Sequence, residues 1–414
     1  MPSDLRILLL TREYPPDVYG GAGVHVDYLA RELAKLIAVE VRTFGDQEIR
    51  AGNLVVQGFR SEQRGAPETP EKLVMALAAL RVCVGFVSRP IDASAVHCHT
   101  WYSHLGGVLA KILYGIPLVV TAHSLEPLRP WKREQLGRGA DLSAWAEKTA
   151  LEMADAVVAV SQEMRADILR LFAVAPERLH VIYNGVDTEE YQRTPDREGL
   201  DRYGIDHRRP YVLFVGRMSR QKGILHLLRA APYLEPETQL VLCASSPDDE
   251  DLAREVEAAV ARVQASRRGV IWIREMVDRA TAIQLYSHAA VFCCPSIYEP
   301  FGIINLEAMA CETPVVASAV GGIKEVVVHG ETGFLVPVEQ QAAPPYEPIH
   351  PERFSRDLAE AVNALLGDAA QRRRMGIEGR RRAEGLFSWG AVAGKTIALY
   401  RGLVDGHGGS TGRA

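Results

Sequence analysis

The chain has 414 residues, of which 47% are hydrophobic and 24% charged, as in an ordinary globular protein. This length exceeds what one core usually serves, so two domains are expected. The formal net charge of −5 argues against a general nucleic-acid-binding protein, which would carry a strong excess of lysine and arginine. No apolar run reaches eighteen residues, so we expect no membrane-spanning helix.

The first residues and the cysteines bear on cellular location. The start, MPSDLRILLL, lacks the pattern of a cleavable signal peptide. The six cysteines lie mostly inside apolar runs and show no C-x-x-C spacing, as expected of reduced core residues. A cytoplasmic location is therefore expected.

Short apolar runs rich in β-branched residues alternate with helix-period stretches through the first half of the chain, which is typical of α/β layering with a parallel sheet. One helical stretch, whose spacing predicts a single apolar face, contains Val26, Leu29, Leu33 and Leu36. A second helix is predicted over 140–154. The predicted strands are RILLLT (6–11), VEVRTF (39–44), AVHCHT (95–100), PLVVTAHS (117–124), AVVAVS (156–161) and HVIYNG (180–185).

The pattern restarts after a polar segment rich in turn residues, 185–210, which is expected to link two domains. The predicted strands are then YVLFVGR (211–217), QLVLCAS (239–245), GVIWIRE (269–275), VFCCPS (291–296), PVVASAV (314–320) and TGFLVP (332–337). A loop over 340–352 and two or three closing helices follow. We therefore expect two doubly wound parallel sheets, with ligands bound in the cleft where the carboxyl ends of their strands face each other.

Paired glycines, Gly20 and Gly21, join the first predicted strand to a helix. Without side chains, they let backbone N–H groups near a helix start approach a phosphate or a sugar. A dinucleotide fingerprint is disfavoured because Val26 stands at its third glycine position. A purely structural turn is the alternative.

Arg217 ends a predicted strand, and Lys222 follows five residues later, before an apolar helical stretch. Two cations beside a helix start can hold a diphosphate, since each charge-assisted hydrogen bond contributes about 1.5–3 kcal/mol. Unrelated surface cations are the alternative.

Histidines stand at two strand ends. His123 ends LVVTAHS, where it is either a structural hydrogen-bonding residue or a catalyst. His97 and His99 alternate in VHCHT and so point the same way. Since no further His, Cys or carboxylate keeps ligand spacing near them, no metal site is expected.

The stretch EPFGIINLE places two glutamates eight residues apart around a turn and a helix start. A helix beginning near Gly302 leaves Glu299 in the preceding loop and puts Glu307 inside the helix. One carboxylate can then accept hydrogen bonds from sugar hydroxyls and the other from a ribose. The N–H groups of Gly302 and Ile303 would meet phosphate, so the spacing suits a nucleotide-sugar.

Taken together, these motifs resemble retaining glycosyltransferases of the GT-B fold (family 4), in particular their glycogen-synthase-like branch. The resemblance is carried by the two glutamates, the Arg217/Lys222 pair, the Gly20-Gly21 loop and IYNGVD before the second domain. The segments LTREYPPDVYGGAGVHV, HTWYSHLGG and TAHSLEPLRPWKREQLG resemble especially the actinobacterial type, which comprises glycogen synthases and α-maltose-1-phosphate synthases. The match spans nearly the whole chain.

The resemblance implies ADP-glucose as the donor, transfer to the 4-hydroxyl of a glucosyl acceptor, retention of the α configuration, and no bound metal or other cofactor. Arg217 and Lys222 would hold the diphosphate and stabilise its departure. Glu299 would bind the donor glucose, and Glu307 the nucleotide ribose.

Other residues take roles by the same resemblance. His123 would lie beside the glucose and the reacting centre, and Gly21 beside the diphosphate. The chain at Glu275 and Val277 would flank the base. Thr100 in HTW departs from the glycogen synthases that resemble the plant enzymes, which carry Asp there, and this difference bears on acceptor handling.

The sequence does not decide between two kinds of acceptor substrate. A basic cluster follows the His123 strand and contains Arg129, Lys132, Arg133 and Arg138. It suits a phosphorylated acceptor such as glucose 1-phosphate, which would give α-maltose 1-phosphate. A solvated helix start is the alternative, with the non-reducing end of an α-glucan as acceptor.

The resemblance divides the chain into an acceptor domain (1–190), a nucleotide-sugar donor domain (191–387), a helix packing back on the first domain (388–405) and a disordered tail (406–414). The expected partners are a nucleotide-sugar and a glucosyl acceptor, without nucleic acid or membrane, and a homo-oligomer is left open. The alternatives are another hexosyl donor or acceptor, and an inactive sugar-nucleotide-binding protein.

Overall fold

The computed structural model describes residues 5–18, 20–61, 70–245, 247 and 250–408. The chain divides into two units, one of Met1–Asn184 with Trp389–Ala414 and one of Gly185–Ser388. It thus enters the second unit six residues before the boundary expected after residue 190, and it returns at Trp389.

The first unit contains strands and helices in alternation. Its strands are β1 (Arg6–Leu10), β2 (Ala38–Phe44), β3 (Glu48–Ala51), β4 (Leu54–Phe59), β5 (Ala95–His99), β6 (Leu118–Ala122), β7 (Ala156–Ala159) and β8 (Leu179–Val181). Its first helices are α1 (Gly21–Ala34), α2 (Glu71–Ser88), α3 (Trp101–Tyr114), α4 (Lys132–Leu136), α5 (Gly139–Met153) and α6 (Gln162–Leu171). The strands form one sheet in the order β3-β4-β2-β1-β5-β6-β7-β8.

This sheet is parallel except for one hairpin at its edge, β3–β4. The strands β1 and β5 to β7 are near-continuous apolar runs that are buried along most of their length, as expected of parallel strands covered on both faces. The hairpin was missed by the sequence analysis. Its strand β3 is fully exposed, so no apolar run marked it.

Helix α1 packs on one face of the first sheet. The predicted face is confirmed for Val26, Leu29 and Leu33, which are buried. Leu36 lies beyond the end of the helix at Ala34 and is 58% exposed. The spacing was compatible with one more turn, but the chain leaves the helix before it.

The second unit repeats the alternation. Its strands are β9 (Tyr211–Arg217), β10 (Gln239–Ser245), β11 (Val270–Ile273), β12 (Val291–Cys294), β13 (Val315–Ser318) and β14 (Gly333–Val336). Its helices are α7 (Glu198–Arg202), α8 (Ile224–Ala230), α9 (Glu250–Ser266), α10 (Arg279–His288), α11 (Ile303–Ala310), α12 (Ile323–Val326), α13 (Pro351–Gly367) and α14 (Ala369–Leu386). The sheet runs in the order β11-β10-β9-β12-β13-β14 and is parallel throughout.

Both sheets are doubly wound, which confirms the predicted fold class. In each, the first strand lies inside the sheet: β1 between β2 and β5, and β9 between β10 and β12. The strand order reverses there, and ligands of such sheets bind in the crevice at the carboxyl ends of the strands beside the reversal. The segments after β1, β5, β9 and β12 therefore border the two candidate binding regions.

The last helix, α15 (Trp389–Gly408), belongs to the first unit and packs against α1. The Trp389 ring stacks on Tyr28 of α1, with the ring centroids 5.6 Å apart. Residues 406–408 continue this helix, which differs from the tail expected to be disordered, and 409–414 lie outside the described residues. Among the helices described, none combines the length and apolarity needed to cross a membrane.

Tyr400 ties α15 to the sheet, because its hydroxyl lies 2.6 Å from Nδ1 of the buried His97 on β5. Tyr400→Phe leaves that nitrogen without a partner and should lower the free energy of unfolding by about 1–3 kcal/mol. Urea unfolding followed by circular dichroism measures the change. Tyr233→Phe, at a ring that is 44% exposed, is the control, and an equal effect of both substitutions would contradict the assignment.

Candidate active site

Arg217 and Lys222 lie at the end of β9 and just after it. Arg217 is the last residue of β9, and Lys222 ends the 3₁₀ turn Arg220–Lys222 that follows. Gly223 follows with φ +67°, and a Cβ atom there would lie 1.9 Å from the carbonyl oxygen of Pro295. Only glycine allows the segments after β9 and β12 to approach this closely.

The approach brings Lys222 to Glu299. The lysine Nζ donates a hydrogen bond to Oε2 of Glu299 at 2.6 Å, and the two side chains are 15% and 8% exposed. The hydroxyl of Ser296 donates to the same oxygen at 3.3 Å. Either charge alone would be costly to bury, so the pair depends on both members.

The helix start predicted near Gly302 is confirmed. Gly302 is the N-cap of α11, with φ +97°, and the helix begins at Ile303. Glu299 therefore lies in the preceding loop, and Glu307 lies in the second turn of the helix. Since no side chain of the described residues caps the start of α11, N–H groups of its first turn remain available to a ligand.

Among the described residues, Glu307 is hydrogen-bonded by tyrosines and not by a lysine. Its Oε2 accepts a hydrogen bond of 2.9 Å from the hydroxyl of Tyr286 on α10. Burial raises the pKa of the Glu307 carboxyl, while hydrogen bonds from Tyr286 and Tyr191 and the charge of Lys222 act in the opposite direction. The sequence analysis missed both tyrosines, because neither lies in the motif that contains Glu307.

Buried polar atoms beside this site are unsatisfied. Within the described part of the chain, the hydroxyl of Ser219 and both polar atoms of the Asn305 side chain make no hydrogen bond. Ser219 directly precedes the Lys222 turn, and Asn305 lies in the first turn of α11. Since buried polar groups nearly always have partners, a polar ligand at these strand ends would complete them.

Glu275 and Val277 follow β11, which is two strands away from β9. The backbone of Val277 hydrogen-bonds the thiol of Cys243 on β10, the strand between β11 and β9. The Glu275 Oε1 accepts a hydrogen bond of 2.6 Å from the hydroxyl of Tyr203. They thus share the edge of the sheet with the ion pair and lie to one side of it.

In the first unit, Gly20 is the N-cap of α1, and Gly21 is the first residue of the helix. The N–H of Gly20 donates to Oε2 of Glu13 at 3.0 Å, so this donor is already used. Tyr19, the residue before it, lies outside the described residues. The helix start at Gly21 remains at the carboxyl end of the sheet, after β1.

His123 lies next to two other imidazoles. Its Nε2 is 3.0 Å from Nδ1 of His99, which ends β5. The ring of His25 on α1 packs edge-on against it, with centroids 4.7 Å apart. One nitrogen of each ring lies within 4.8 Å of the other two, close enough to hold a metal ion. The fold thus brings His25 and His123 to His99, which sequence spacing does not show, whereas the expectation that no metal is bound stays a prediction.

Burial lowers the pKa values of this group of histidines. The pKa of His25 falls to about 4 and that of His97 to about 3, and the pKa values of His99 and His123 lie well below the usual one. Burial is the largest cause in each case. All four imidazoles are therefore neutral near pH 7, and His123 is a neutral hydrogen-bonding group.

Thr100 has a strained backbone, with φ +67° and ψ 153°, which is an outlier for a β-branched residue. Its buried hydroxyl has no hydrogen-bond partner in the described ranges. Such strain clusters at functional sites. The position between His99 and α3 is therefore a further candidate for ligand contact.

The basic cluster after His123 is divided in the structure. Arg129 is mostly buried, and its Nη1 donates to the hydroxyl of Ser124, the neighbour of His123, at 3.1 Å. Its Nε is buried and makes no hydrogen bond to any described residue. Lys132 begins α4, whereas Arg133 is exposed and paired with Asp141. Arg129 is thus attached to the loop of His123, where it also lies 3.7 Å from Oε1 of Glu126.

A second guanidinium lies near Arg129. Arg12 follows β1, and its Cζ lies 4.1 Å from the centroid of the Tyr102 ring. Burial raises the pKa of the Tyr102 hydroxyl, and the charges of Arg12 and Arg129 both lower it. Two cations therefore lie near this tyrosine at the carboxyl end of the first sheet, together with the carboxylates of Glu126 and Glu13, which act in the opposite direction on its pKa. Sequence reasoning missed Arg12, although a charged residue directly after a buried strand was a usable signal.

Comparison with known proteins gives matches over nearly the whole chain. The family description Glycosyltransferase Family 4 matches residues 19–190, and Glycosyl transferases group 1 matches residues 197–344. The alpha-maltose-1-phosphate synthase of Mycolicibacterium smegmatis is 48% identical over 401 residues, which are 96% of this chain and 99% of that protein.

Two further similarities are more distant. The glycogen synthase of Mycobacterium tuberculosis is 28% identical over 96% of this chain and 94% of that protein. The structure of sucrose-phosphate synthase from Thermosynechococcus elongatus has a TM-score of 0.78 and 26% identity, covering 97% of this chain and 100% of that one.

His104 should make stability depend on pH, because it is buried and its pKa is lowered to about 3, against about 6.5 in the unfolded chain. Below pH 6.5 the unfolded chain binds a proton that the folded chain does not. The free energy of unfolding therefore falls by about 1.4 kcal/mol per pH unit for this group, and it is unaffected above pH 6.5.

Replacement by leucine should remove this dependence. Between pH 6 and 4, urea unfolding of His104→Leu should show a slope smaller by about 1.4 kcal/mol per pH unit than that of the unchanged protein. His207→Leu, at an exposed position, is the control. Equal slopes for all three proteins would show that His104 is protonated in the folded chain.

Proposed function

The chain belongs to the GT-B glycosyltransferases, and we propose that it is a retaining α-1,4-glucosyltransferase of glycogen biosynthesis. It moves glucose from ADP-glucose to glucose 1-phosphate, forming α-maltose 1-phosphate, and/or to the non-reducing end of an α-glucan. The observation that carries the proposal is the identity of 48% with an alpha-maltose-1-phosphate synthase, against 28% with a glycogen synthase. Both comparisons cover 96% of the chain, so coverage does not explain the difference, which favours glucose 1-phosphate.

The ion pair of the second unit supports the donor half of this proposal. Lys222 and Arg217 neutralise the departing diphosphate, together with the N–H groups of Gly302 and Ile303, and so lower the barrier electrostatically. The arriving diphosphate competes with Glu299 for Lys222, and hydroxyls of the donor glucose then take the place of Lys222 at the Glu299 carboxylate. The contact of 2.6 Å thus links recognition of the sugar to recognition of the diphosphate.

The remainder of the donor lies along the same sheet edge. Glu307, held by Tyr286, accepts the ribose hydroxyls, and the chain at Glu275 and Val277 flanks the base. Since this part of the chain follows β11, two strands away from β9, the nucleotide extends from the diphosphate across β10 towards β11.

Transfer breaks the bond between glucose C1 and the diphosphate oxygen, and it forms a bond between C1 and the acceptor 4-oxygen on the same face. The proton of the acceptor hydroxyl passes to the departing diphosphate oxygen, so that no separate protein base is required. His123, neutral near pH 7, hydrogen-bonds a hydroxyl of the transferring glucose without adding positive charge. Gly21, at the start of α1, lies beside the diphosphate.

Arg129 supports a phosphorylated acceptor. Its Nη1 donates to Ser124 in the His123 loop and lies 3.7 Å from the Glu126 carboxylate, while its Nε makes no hydrogen bond to any described residue. Arg12 places a second cation near Tyr102, whose hydroxyl is also influenced by the charge of Arg129. A phosphate accepts charge-assisted hydrogen bonds from such groups, whereas a neutral glucan end needs none.

A donor and acceptor panel tests the proposal. ADP-, UDP- and GDP-glucose are each supplied with glucose 1-phosphate or with glycogen, and NMR identifies the product and the configuration at its new linkage. We expect the fastest transfer from ADP-glucose to glucose 1-phosphate, with an α linkage. Extension of glycogen alone would remove the phosphorylated acceptor, and absence of transfer from every donor would refute the proposal.

Lys222→Ala should lower kcat by about 10²–10³-fold, because it removes one preorganised charge from the leaving group. Lys324→Ala, at an exposed position of the same unit, is the matched control and should keep normal turnover. Circular dichroism and thermal unfolding verify that each variant is folded. Near-normal turnover of folded Lys222→Ala would exclude the role given to this lysine.

Arg129→Gln should raise KM for glucose 1-phosphate by about 10–150-fold, the equivalent of a lost charge-assisted hydrogen bond of about 1.5–3 kcal/mol. Its effect on glycogen as acceptor should be small. Arg133→Gln, which removes an exposed cation already paired with Asp141, is the control. If KM rises equally for both acceptors, Arg129 maintains the loop and does not bind phosphate.

A further inference from the structure

Three imidazoles of the first unit, those of His25, His99 and His123, converge at the carboxyl end of β5 and β6. One nitrogen from each lies within 4.8 Å of the other two. In a tetrahedral zinc site with Zn–N bonds of about 2.0–2.1 Å, ligand nitrogens are about 3.3–3.4 Å apart. His99 and His123 already stand at 3.0 Å, so a small rotation of His25 would complete three corners of a tetrahedron.

The hydrogen bonds of His25 leave a ligand nitrogen available. Its Nδ1 lies 2.7 Å from Oδ1 of Asn184, and because an amide oxygen only accepts, Nδ1 carries the proton. The opposite nitrogen, Nε2, therefore has a lone pair, and it is buried without a hydrogen-bond partner in the described chain. Metal-binding histidines are oriented in this way, with the outer nitrogen donating to an oxygen.

A comparison with the neighbouring His97 shows that the three rings have ring nitrogens that are not used for structural hydrogen bonds to described residues. His97 lies next to His99 but has both nitrogens engaged, by Tyr400 and by Thr121. In His99, the nitrogen that faces His123 is Nδ1, and the opposite nitrogen, Nε2, has no hydrogen-bond partner within the described ranges. With the ring proton on Nε2, Nδ1 offers its lone pair to an ion. His123 is only partly buried, which leaves a side open for an ion and for a fourth ligand.

From this geometry we propose that His25, His99 and His123 form a binding site for a borderline divalent cation, Zn²⁺ first of all, and that the bound ion inhibits the enzyme. Neutral imidazoles suit Zn²⁺ better than Mg²⁺ or Ca²⁺, which prefer oxygen ligands. The ion would fix the His123 ring, which the proposed function assigns to a hydroxyl of the donor glucose. The inhibition rests on the proposed function, whereas the binding does not.

Titration with Co²⁺, a spectroscopic substitute for Zn²⁺, tests the binding without any assay of turnover. The full-length protein should bind one ion with the visible bands of tetrahedral coordination, and Zn²⁺ should displace it. His25→Gln and His99→Gln should each weaken binding at least tenfold, and Asn184→Leu, which removes the partner of His25, about 10–100-fold. His104→Gln, buried in the same unit, and the exposed His207→Gln are controls that should keep full affinity.

Equal affinity of the ligand variants and the controls would overturn the site. If a ligand variant does not fold, X-ray absorption of the unaltered protein with one equivalent of Zn²⁺ tests the site instead. Three imidazole nitrogens at about 2.0–2.1 Å from the ion are expected. Fewer imidazole ligands would refute the assignment. Zn²⁺ should also abolish glucosyl transfer, and EDTA should restore it. Transfer without metal binding refutes this inference alone, whereas metal binding without transfer in any assay refutes the proposed function and leaves the site standing.

Discussion

The buried ion pair between Lys222 and Glu299 is the contact on which the candidate site of the second unit depends. It exists because two parallel strands at the reversal of strand order, β9 and β12, deliver their following segments to the same edge of the sheet. Gly223 permits the backbone approach, and the hydrogen bond from Ser296 helps to satisfy the carboxylate. Neither charge would be stable in this position without the other, so the pair is both a structural element and a preformed place for a ligand that is anionic at one end and hydroxylated at the other.

The first unit buries a group of imidazole rings at its strand ends, in addition to charged side chains such as Arg42 and Glu147. Its histidines remain uncharged because burial penalises their protonated forms, and hydrogen bonds to Tyr400, Thr121 and Asn184 satisfy some of their nitrogens. His25 also packs edge-on against Trp389. The same imidazole therefore contacts Asn184, where the chain leaves the first unit, and Trp389, where it returns. This arrangement makes α15 part of the core that positions the strand ends.

Several buried polar atoms at the strand ends of both units make no hydrogen bond to any described residue. They include atoms of Ser219 and Asn305 in the second unit, and of Thr100 and Arg129 and the Nε2 atoms of His25 and His99 in the first. Folding alone would favour partners for such groups, because a buried donor or acceptor without one costs about 1–3 kcal/mol. Their retention at the carboxyl edges is consistent with ligands that supply the missing hydrogen bonds.

The sequence by itself determined the features that depend on neighbours along the chain. β9 and β10 have the predicted bounds, and the predicted helix start near Gly302 placed Glu299 before the helix and Glu307 inside it, because strand and helix periods are local and steric. Only the tertiary structure decided which distant side chains meet. It joined Lys222 to Glu299, gathered His25 with His99 and His123, supplied Tyr286 to Glu307, and separated the buried Arg129 from the exposed Arg133. These contacts result from the order of strands in the sheets and from the packing of helices on them, and no spacing in the sequence encodes either directly.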